Sequence, residues 1–159
     1  MRNVFKQFKS QIIGLVICLF LGMISGYLSR GSDSTWYINL NKPSFNPPKW
    51  IFGPVWTILY IMMGIALGKI WDNRNNNKPL LILFIIQLIF NLAWSPIFFY
   101  FQRIDFALYD IILLWMNLFF IILISLFRKA KIIATLLIPY FLWVSFAAIL
   151  NLRIYQLNF

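Results

Sequence analysis

The sequence predicts an all-α integral membrane protein, a single five-helix membrane domain over residues 1–159 with a long proline-rich lid loop between helices 1 and 2. Three observations lead there. Hydrophobic residues fill 62% of the 159 positions and charged residues 11%, a balance too apolar for a soluble domain with a solvated surface. Five apolar runs reach the length of about 20 residues that a helix needs to cross a bilayer. The 14 Lys and Arg, against four acids that are all Asp, fall almost entirely between those runs. Lipid head groups and membrane topology therefore account for the net charge of +10, and no nucleic-acid partner is expected.

The first run, about 11–29, stands behind basic Arg2, Lys6 and Lys9 as a signal peptide would. It is longer than a signal core and no A-x-A-like site follows it, so it reads as a retained helix. Its Cys18, the only cysteine, can form no disulfide within the chain. Residues 30–49 form the long first connection, whose aromatics and prolines suit a packed cap. The stretch "KPSFNPPKWIFGPVWTILY", 42–60, sets four of the seven prolines beside two tryptophans. Proline fixes φ and removes a backbone donor, so this segment is stiff and non-helical until the second helix, about 50–71, begins. The polar turn "DNRNNNKP" leads to the third run at about 80–101, and "QRID" and "RKAK" separate it from runs at about 106–127 and 132–154. Connections this short make the helices they join antiparallel neighbours. Two G-x-x-x-G pairs, Gly22 with Gly26 and Gly64 with Gly68, read as close packing within the bundle rather than as a dimer face. The N-terminus and the connections near 69–78 and 128–131 carry nine of the 14 basic residues. The other side carries five: Arg30, Lys42, Lys49, Arg103 and Arg153. That bias predicts a cytoplasmic N-terminus and an outside C-terminus.

Counting depth at 1.5 Å per residue from the lid side places Trp56, Trp94 and Trp143 in one layer, about 10–15 Å inside the hydrocarbon. Asn91, one turn deeper than Trp94, brings an amide to that layer, and Trp115 and Asp110 enter the same half. Polar groups at such depth face the bundle interior or a cavity, because leaving one unpaired costs several kcal/mol. Trp56, Tyr60 and Gly64 recur at four-residue intervals, as do Trp143, Ala147 and Asn151, so each set shares one helix face. Faces that alternate large, small and polar groups fit either a cavity wall or dense packing. Trp36, Trp50 and Trp71, at the expected interfaces, fit a membrane belt.

Four stretches in order, "WYINLNKPSFNPPKWIFGPVWTILYIMMGIA", "NLAWSPIFFYF", "ALYDIILL" and "LLIPYFLWVSFAAILN", resemble the translocator protein family, the tryptophan-rich sensory proteins related to the peripheral benzodiazepine receptor. The likeness runs from about Trp36 to Asn151. It implies a membrane receptor or sensor, commonly a homodimer. Its pocket under the first loop would bind porphyrins such as protoporphyrin-like tetrapyrroles, sterols and benzodiazepine-site ligands. Carried over by motif, the pocket would be formed by Tyr37 and Pro47 of the lid, Trp56 of "PVW", Asn91 of "NLAW", and Trp143 and Ala147 of "LWVSFA". Tyr60 and Trp94 join this ligand-binding set through the spacing and depth just described. Trp56 and Trp143 match the tryptophans linked in bacterial relatives to light-dependent porphyrin breakdown, which makes them the candidate photochemical pair. The alternative reading is a transporter of tetrapyrroles, sterols or other apolar compounds.

The chain departs from the family pattern at Phe45, where Trp is usual, and at Leu92 and Ser95, where Trp and Pro are frequent. The family's proposed sterol motif needs a Tyr followed by Lys or Arg, yet the matching positions are Leu152 and Gln156, which counts against sterol binding. With no His and no Glu, hydrolysis by a general base and His-ligated haem or zinc lack their residues. No metal site and no required cofactor are expected, and no enzymatic role beyond photo-oxidative porphyrin degradation. A metal-free tetrapyrrole needs aromatic faces and basic groups for its carboxylates. Arg30, Lys42, Lys49 and Arg103 lie on the side that could supply the charge, although interface residues of this kind also snorkel without any ligand.

Overall fold

The computed structural model describes the backbone of residues 2–159 and the side chains of residues 8–159, so the Arg2 and Lys6 side chains of the charge count lie outside the described residues. In chain order the elements are α1 (Arg2–Leu28), a 3-10 turn (Ser29–Asp33), the short α2 (Thr35–Asn39), α3 (Lys49–Asp72), α4 (Lys78–Ser95), a π-helical turn (Pro96–Tyr100), α5 (Ile104–Phe127) and α6 (Lys131–Asn158). Among the described residues there is no strand, and five helices are long and apolar enough to cross a membrane.

The expected spans fall on α1, α3, α5 and α6, with α1 beginning earlier and α6 ending later than the apolar run alone indicates. The third differs. Its α-helix stops at Ser95, because Pro96 has no N–H to give and its ring collides with the carbonyl one turn back. The chain continues in a wider turn, in which the Phe101 N–H donates to the Pro96 carbonyl at 2.9 Å. Gln102, at φ 56°, then turns the chain towards α5. The 30–49 segment also holds more helix than expected. Ser34 caps α2, its Oγ accepting from the Tyr37 N–H at 3.3 Å, while the proline-rich remainder stays irregular up to Pro48. The Asn41 N–H donates to Asn158 Oδ1, and Asn158 Nδ2 donates to the Asn41 carbonyl, each at 3.0 Å, so the segment is tied to the end of α6.

The helices close a ring in the order α1, α3, α6, α5, α4, with a lighter contact from α4 back to α1. The short connections make neighbours of α4 with α5 and of α5 with α6, as expected. They do not do so for α3 and α4, which touch only sparsely. The reason lies in glycine. Gly64 and Gly68 lay α3 directly on α1: a Cβ at Gly64 would sit 2.6 Å from Leu15 Cα, and one at Gly68 would sit 2.5 Å from Gln11 Cα. α3 is thereby drawn onto α1, and the turn at 73–77 crosses the end of the bundle, where Arg128 donates to the Asn76 carbonyl. The α3 pair thus serves packing within the bundle, as its spacing indicated. Gly22 does likewise beneath the Tyr60 ring, whereas Gly26 has open space before it.

Candidate functional site

At the end of the bundle that carries the 29–48 segment, the helices part around a cavity of about 1,100 Å³. α3 contributes Phe52, Trp56 and Tyr60, at four-residue spacing on one face, and α6 contributes Trp143, Ala147 and Asn151 in the same way. α4 brings Asn91 and Trp94, the π turn brings Phe98 and Phe99, and Tyr37 and Pro47 reach in from the loop. All eight residues of the sequence-derived ligand set (Tyr37, Pro47, Trp56, Tyr60, Asn91, Trp94, Trp143 and Ala147) therefore line one space.

The floor of this space is polar and closed. Tyr60 donates its hydroxyl hydrogen to Asn91 Oδ1, and Asn91 Nδ2 donates to the Tyr140 hydroxyl at 2.7 Å. These three side chains are 2%, 4% and 0% exposed, so the amide joins three helices where no water competes. Higher up, the Trp94 indole donates to Asn151 Oδ1 at 3.0 Å, and Asn151 Nδ2 donates to the Ile104 carbonyl at 3.2 Å. Trp94 stacks on Phe98 with ring centroids 4.9 Å apart, and Phe98 in turn supports Trp36 and Tyr37 of the loop edge-on. Trp56 leans on Tyr60 and Tyr140, while Trp143 lies between Phe52 and Phe146. Both indoles are half-buried and so keep a face for an occupant.

The Asn91 amide is thus occupied by protein on both sides. Asn91→Leu is expected to leave two buried tyrosine hydroxyls unpaired and to destabilise the bundle by about 1–3 kcal/mol. Thermal unfolding in detergent measures this, and an unchanged midpoint would mean that the triad does not hold the floor together.

The mouth is basic. Arg30, Lys42 and Lys49 line it together with Asp33. Lys49 Nζ lies 2.5 Å from Asp33 Oδ1, with both side chains well exposed. Lys42 donates to the carbonyls of Tyr37, Ile38 and Leu40 and sits 4.5 Å from the Tyr37 ring centre, closing the end of α2. Partial burial, and after it the nearby charge of Lys49, lower the Lys42 pKa from its ordinary value. Burial raises that of Tyr37, opposed by the Asn46 side chain. Arg103 takes no part in the mouth; it is turned to Asp105, at 2.6 Å and 2.9 Å.

Some residues lie elsewhere than the depth count implied. Trp115 faces away from the cavity, donates to Ser145 Oγ at 2.8 Å, and borders a shallow outer groove of about 320 Å³ between α5 and α6. Trp50 and Trp71 are exposed at the helix ends, as a belt requires, but Trp36 packs against Phe98. Sequence reasoning missed Phe52, Gly26, Phe98 and Phe99. Phe52 was within reach, one turn before Trp56 on the same face. The two π-turn phenylalanines carried no signal, because only the wider turn rotates them inward. Among the described residues no group of three or more His, Cys, Asp or Glu side chains is placed to hold a metal ion.

Five apolar helices around a cavity lined with aromatic side chains and residues of the proline-rich loop define a polytopic membrane protein with an internal cavity. The chain belongs to the TspO/MBR family, whose sequence profile matches residues 14–157. It is 43% identical to the tryptophan-rich protein TspO of Chlorobaculum tepidum, over 96% of this chain and 98% of that one. It is 33% identical to the translocator protein of Bos taurus, over 86% and 83% of the two chains. It is also 33% identical to the tryptophan-rich sensory protein of Cereibacter sphaeroides, over 77% of each. It is an integral, multi-pass membrane protein.

Proposed function

We propose that the chain is a membrane receptor or sensor that binds protoporphyrin-like tetrapyrroles and benzodiazepine-site ligands in the cavity beneath its first loop. The cavity carries this reading. Its 1,100 Å³ stands at the top of the range of about 300–1,000 Å³ usual for small-molecule sites, so it suits a large flat ligand. Trp56, Trp94 and Trp143 offer ring faces to a macrocycle, and Arg30, Lys42 and Lys49 at the mouth balance its carboxylates. The 29–48 segment, resting on the Trp94–Phe98 stack, acts as the lid. Titration of protoporphyrin into the protein in nanodiscs, followed by tryptophan fluorescence, tests the reading. Saturable quenching that a benzodiazepine-site ligand reverses is expected. Linear quenching equal to that of a free indole would defeat it.

Translocation is the second reading, favoured by the name translocator protein that the bovine relative bears. It adds the requirement that bound porphyrin leave on the opposite side, which counterflow in proteoliposomes measures; exchange no faster than in empty vesicles would remove it.

The N-terminus belongs in the cytoplasm on this proposal. Lys9, Lys69, Arg74, Lys78, Arg128, Lys129 and Lys131 all lie towards the end of the bundle where α1 begins, opposite the lid. Reporter fusions at the two termini are expected to read inside for the first and outside for the second, and the reverse pattern would refute the placement.

A further inference from the structure

Beside and below the cavity, α4 and α5 carry a second set of polar side chains. Gln87, Asp110, Asn117 and Ser125 are 0%, 7%, 8% and 0% exposed. Yet Gln87 Nε2 and Oε1, Asp110 Oδ2, Asn117 Oδ1 and Ser125 Oγ have no hydrogen-bond partner in the protein. In the cavity half Ser95 meets Ser29 at 2.9 Å, Asn91 joins two tyrosines and Asn151 joins Trp94 to a carbonyl, while among the described residues Asn46 Oδ1 in the loop is the further unpartnered atom. On α5, positions 110, 117 and 125 fall within an arc of about 80°, so the three residues share one face over about 22 Å. α4 runs antiparallel to α5 from the short connection at 101–103, which sets Gln87 level with the middle of that stripe and one turn below Asn91 of the floor. One end, Ser125, lies near Arg128 and Lys129 at the basic face; the other, Asp110, adjoins the cavity-lining Ile111.

An amide or carboxyl shut away from water without a partner bears the full desolvation of that group, and polar residues within spanning helices mark the paths of water and ions for this reason. Three of them, Gln87, Asn117 and Ser125, lie below the floor and require something to bond. We propose that the α4–α5 seam takes up a file of water, hydrogen-bonded to Ser125, Asn117 and Gln87, leading from the basic end of the bundle to the underside of the Tyr60–Asn91–Tyr140 floor. That floor then separates two polar compartments, the ligand cavity on the lid side and this file on the other.

Accessibility of single cysteines tests the proposal in the full-length protein in nanodiscs. In a Cys18→Ala background, Gln87→Cys, Asn117→Cys and Ser125→Cys are treated with a small, charged, membrane-impermeant methanethiosulfonate, with the exposed Ile85→Cys and Ile89→Cys of α4 as lipid-facing controls. Positions 125, 117 and 87 are expected to react at least tenfold faster than the controls, in falling order. Rates at 87 and 117 no higher than the controls would overturn the proposal. Gln87→Met serves as an independent measurement should a cysteine variant misfold. Loss of a bonded water ligand lowers the unfolding temperature, whereas a raised one would mean a dry seam and overturn the proposal equally.

Discussion

Gly64→Val is expected to cost the bundle about 3 kcal/mol or more, enough to prevent recovery of a folded protein under mild detergent conditions. Helix propensity alone would reward losing this glycine, by about 1 kcal/mol for alanine. The sign reverses because the added carbon meets Leu15 Cα, and at Gly68 it meets Gln11 Cα, so backbone rather than a flexible side chain must give way. Gly64→Ala and Gly68→Ala, with one carbon each, are expected to cost about 1–3 kcal/mol. Gly26 and Gly53 supply the internal control, since a Cβ at either meets nothing within 4 Å. Alanine there is expected to be neutral or mildly stabilising. Circular dichroism melts of the set would decide the matter, and equal losses at Gly26 and Gly64 would show that the α1–α3 seam is not the cause.

Trp56→Phe and Trp143→Phe are expected to keep porphyrin affinity within about tenfold, roughly 1.4 kcal/mol, while removing most of the light-dependent loss of bound porphyrin. The neighbours of each indole explain the first half. Trp56 is seated by Tyr60 and Tyr140, and Trp143 by Phe52 and Phe146, so a phenyl ring at either site stays on aromatic partners and keeps a face to the cavity. The second half follows from chemistry, because an indole beside an excited porphyrin is readily oxidised and a phenyl ring is not. Trp94→Phe offers a contrast. It breaks the bond to Asn151 and is expected to lower stability without a comparable fall in photochemical loss. Absorbance decay of protoporphyrin under light, against a dark control and porphyrin in empty nanodiscs, is the measurement. Equal decay in all samples would leave the protein as a holder of pigment only, and failure of both variants to bind would make the two tryptophans walls of the site with no photochemical part.

Where a single helix face carries its own period, the wall of the cavity could be read in advance. Trp56 with Tyr60, and Trp143 with Ala147 and Asn151, declare their faces through spacing, and counting depth at about 1.5 Å per residue brought both sets to the one cavity they line. Trp115 shows the limit of the same reasoning. Depth says how far a residue lies from the interface but not towards which neighbour it turns, and on α5 the tryptophan faces outward to Ser145. The π turn was illegible for a related reason: Pro96 announces a break, but whether the chain kinks, stops or widens depends on what Phe98 and Phe99 can pack against. The ring order escaped because loop length bounds how far apart two helix ends stand without naming which helix fills the space beside them. Asn91 was placed at the right depth, but its two tyrosine partners come from helices 31 and 49 residues away in sequence, a pairing no local pattern encodes.

The ring order also sets when the cavity comes into being. α1 and α3 are complete, and able to seat on one another through their glycines, once the chain has emerged to Asp72; α4, α5 and α6 follow in sequence as neighbours of one another. Trp56 belongs to the first unit and Trp94 and Trp143 to the second, so neither holds a binding site by itself. α6, the last helix made, joins the two units through its contact with α3, beside the lighter contacts of α4 with α1 and α3, and Asn158 at its end fastens the loop. On the proposed function, an occupant of the cavity would bridge the two halves of the molecule and favour the joined state over the separated one by mass action, so that ligand supply and the yield of assembled protein would be thermodynamically linked.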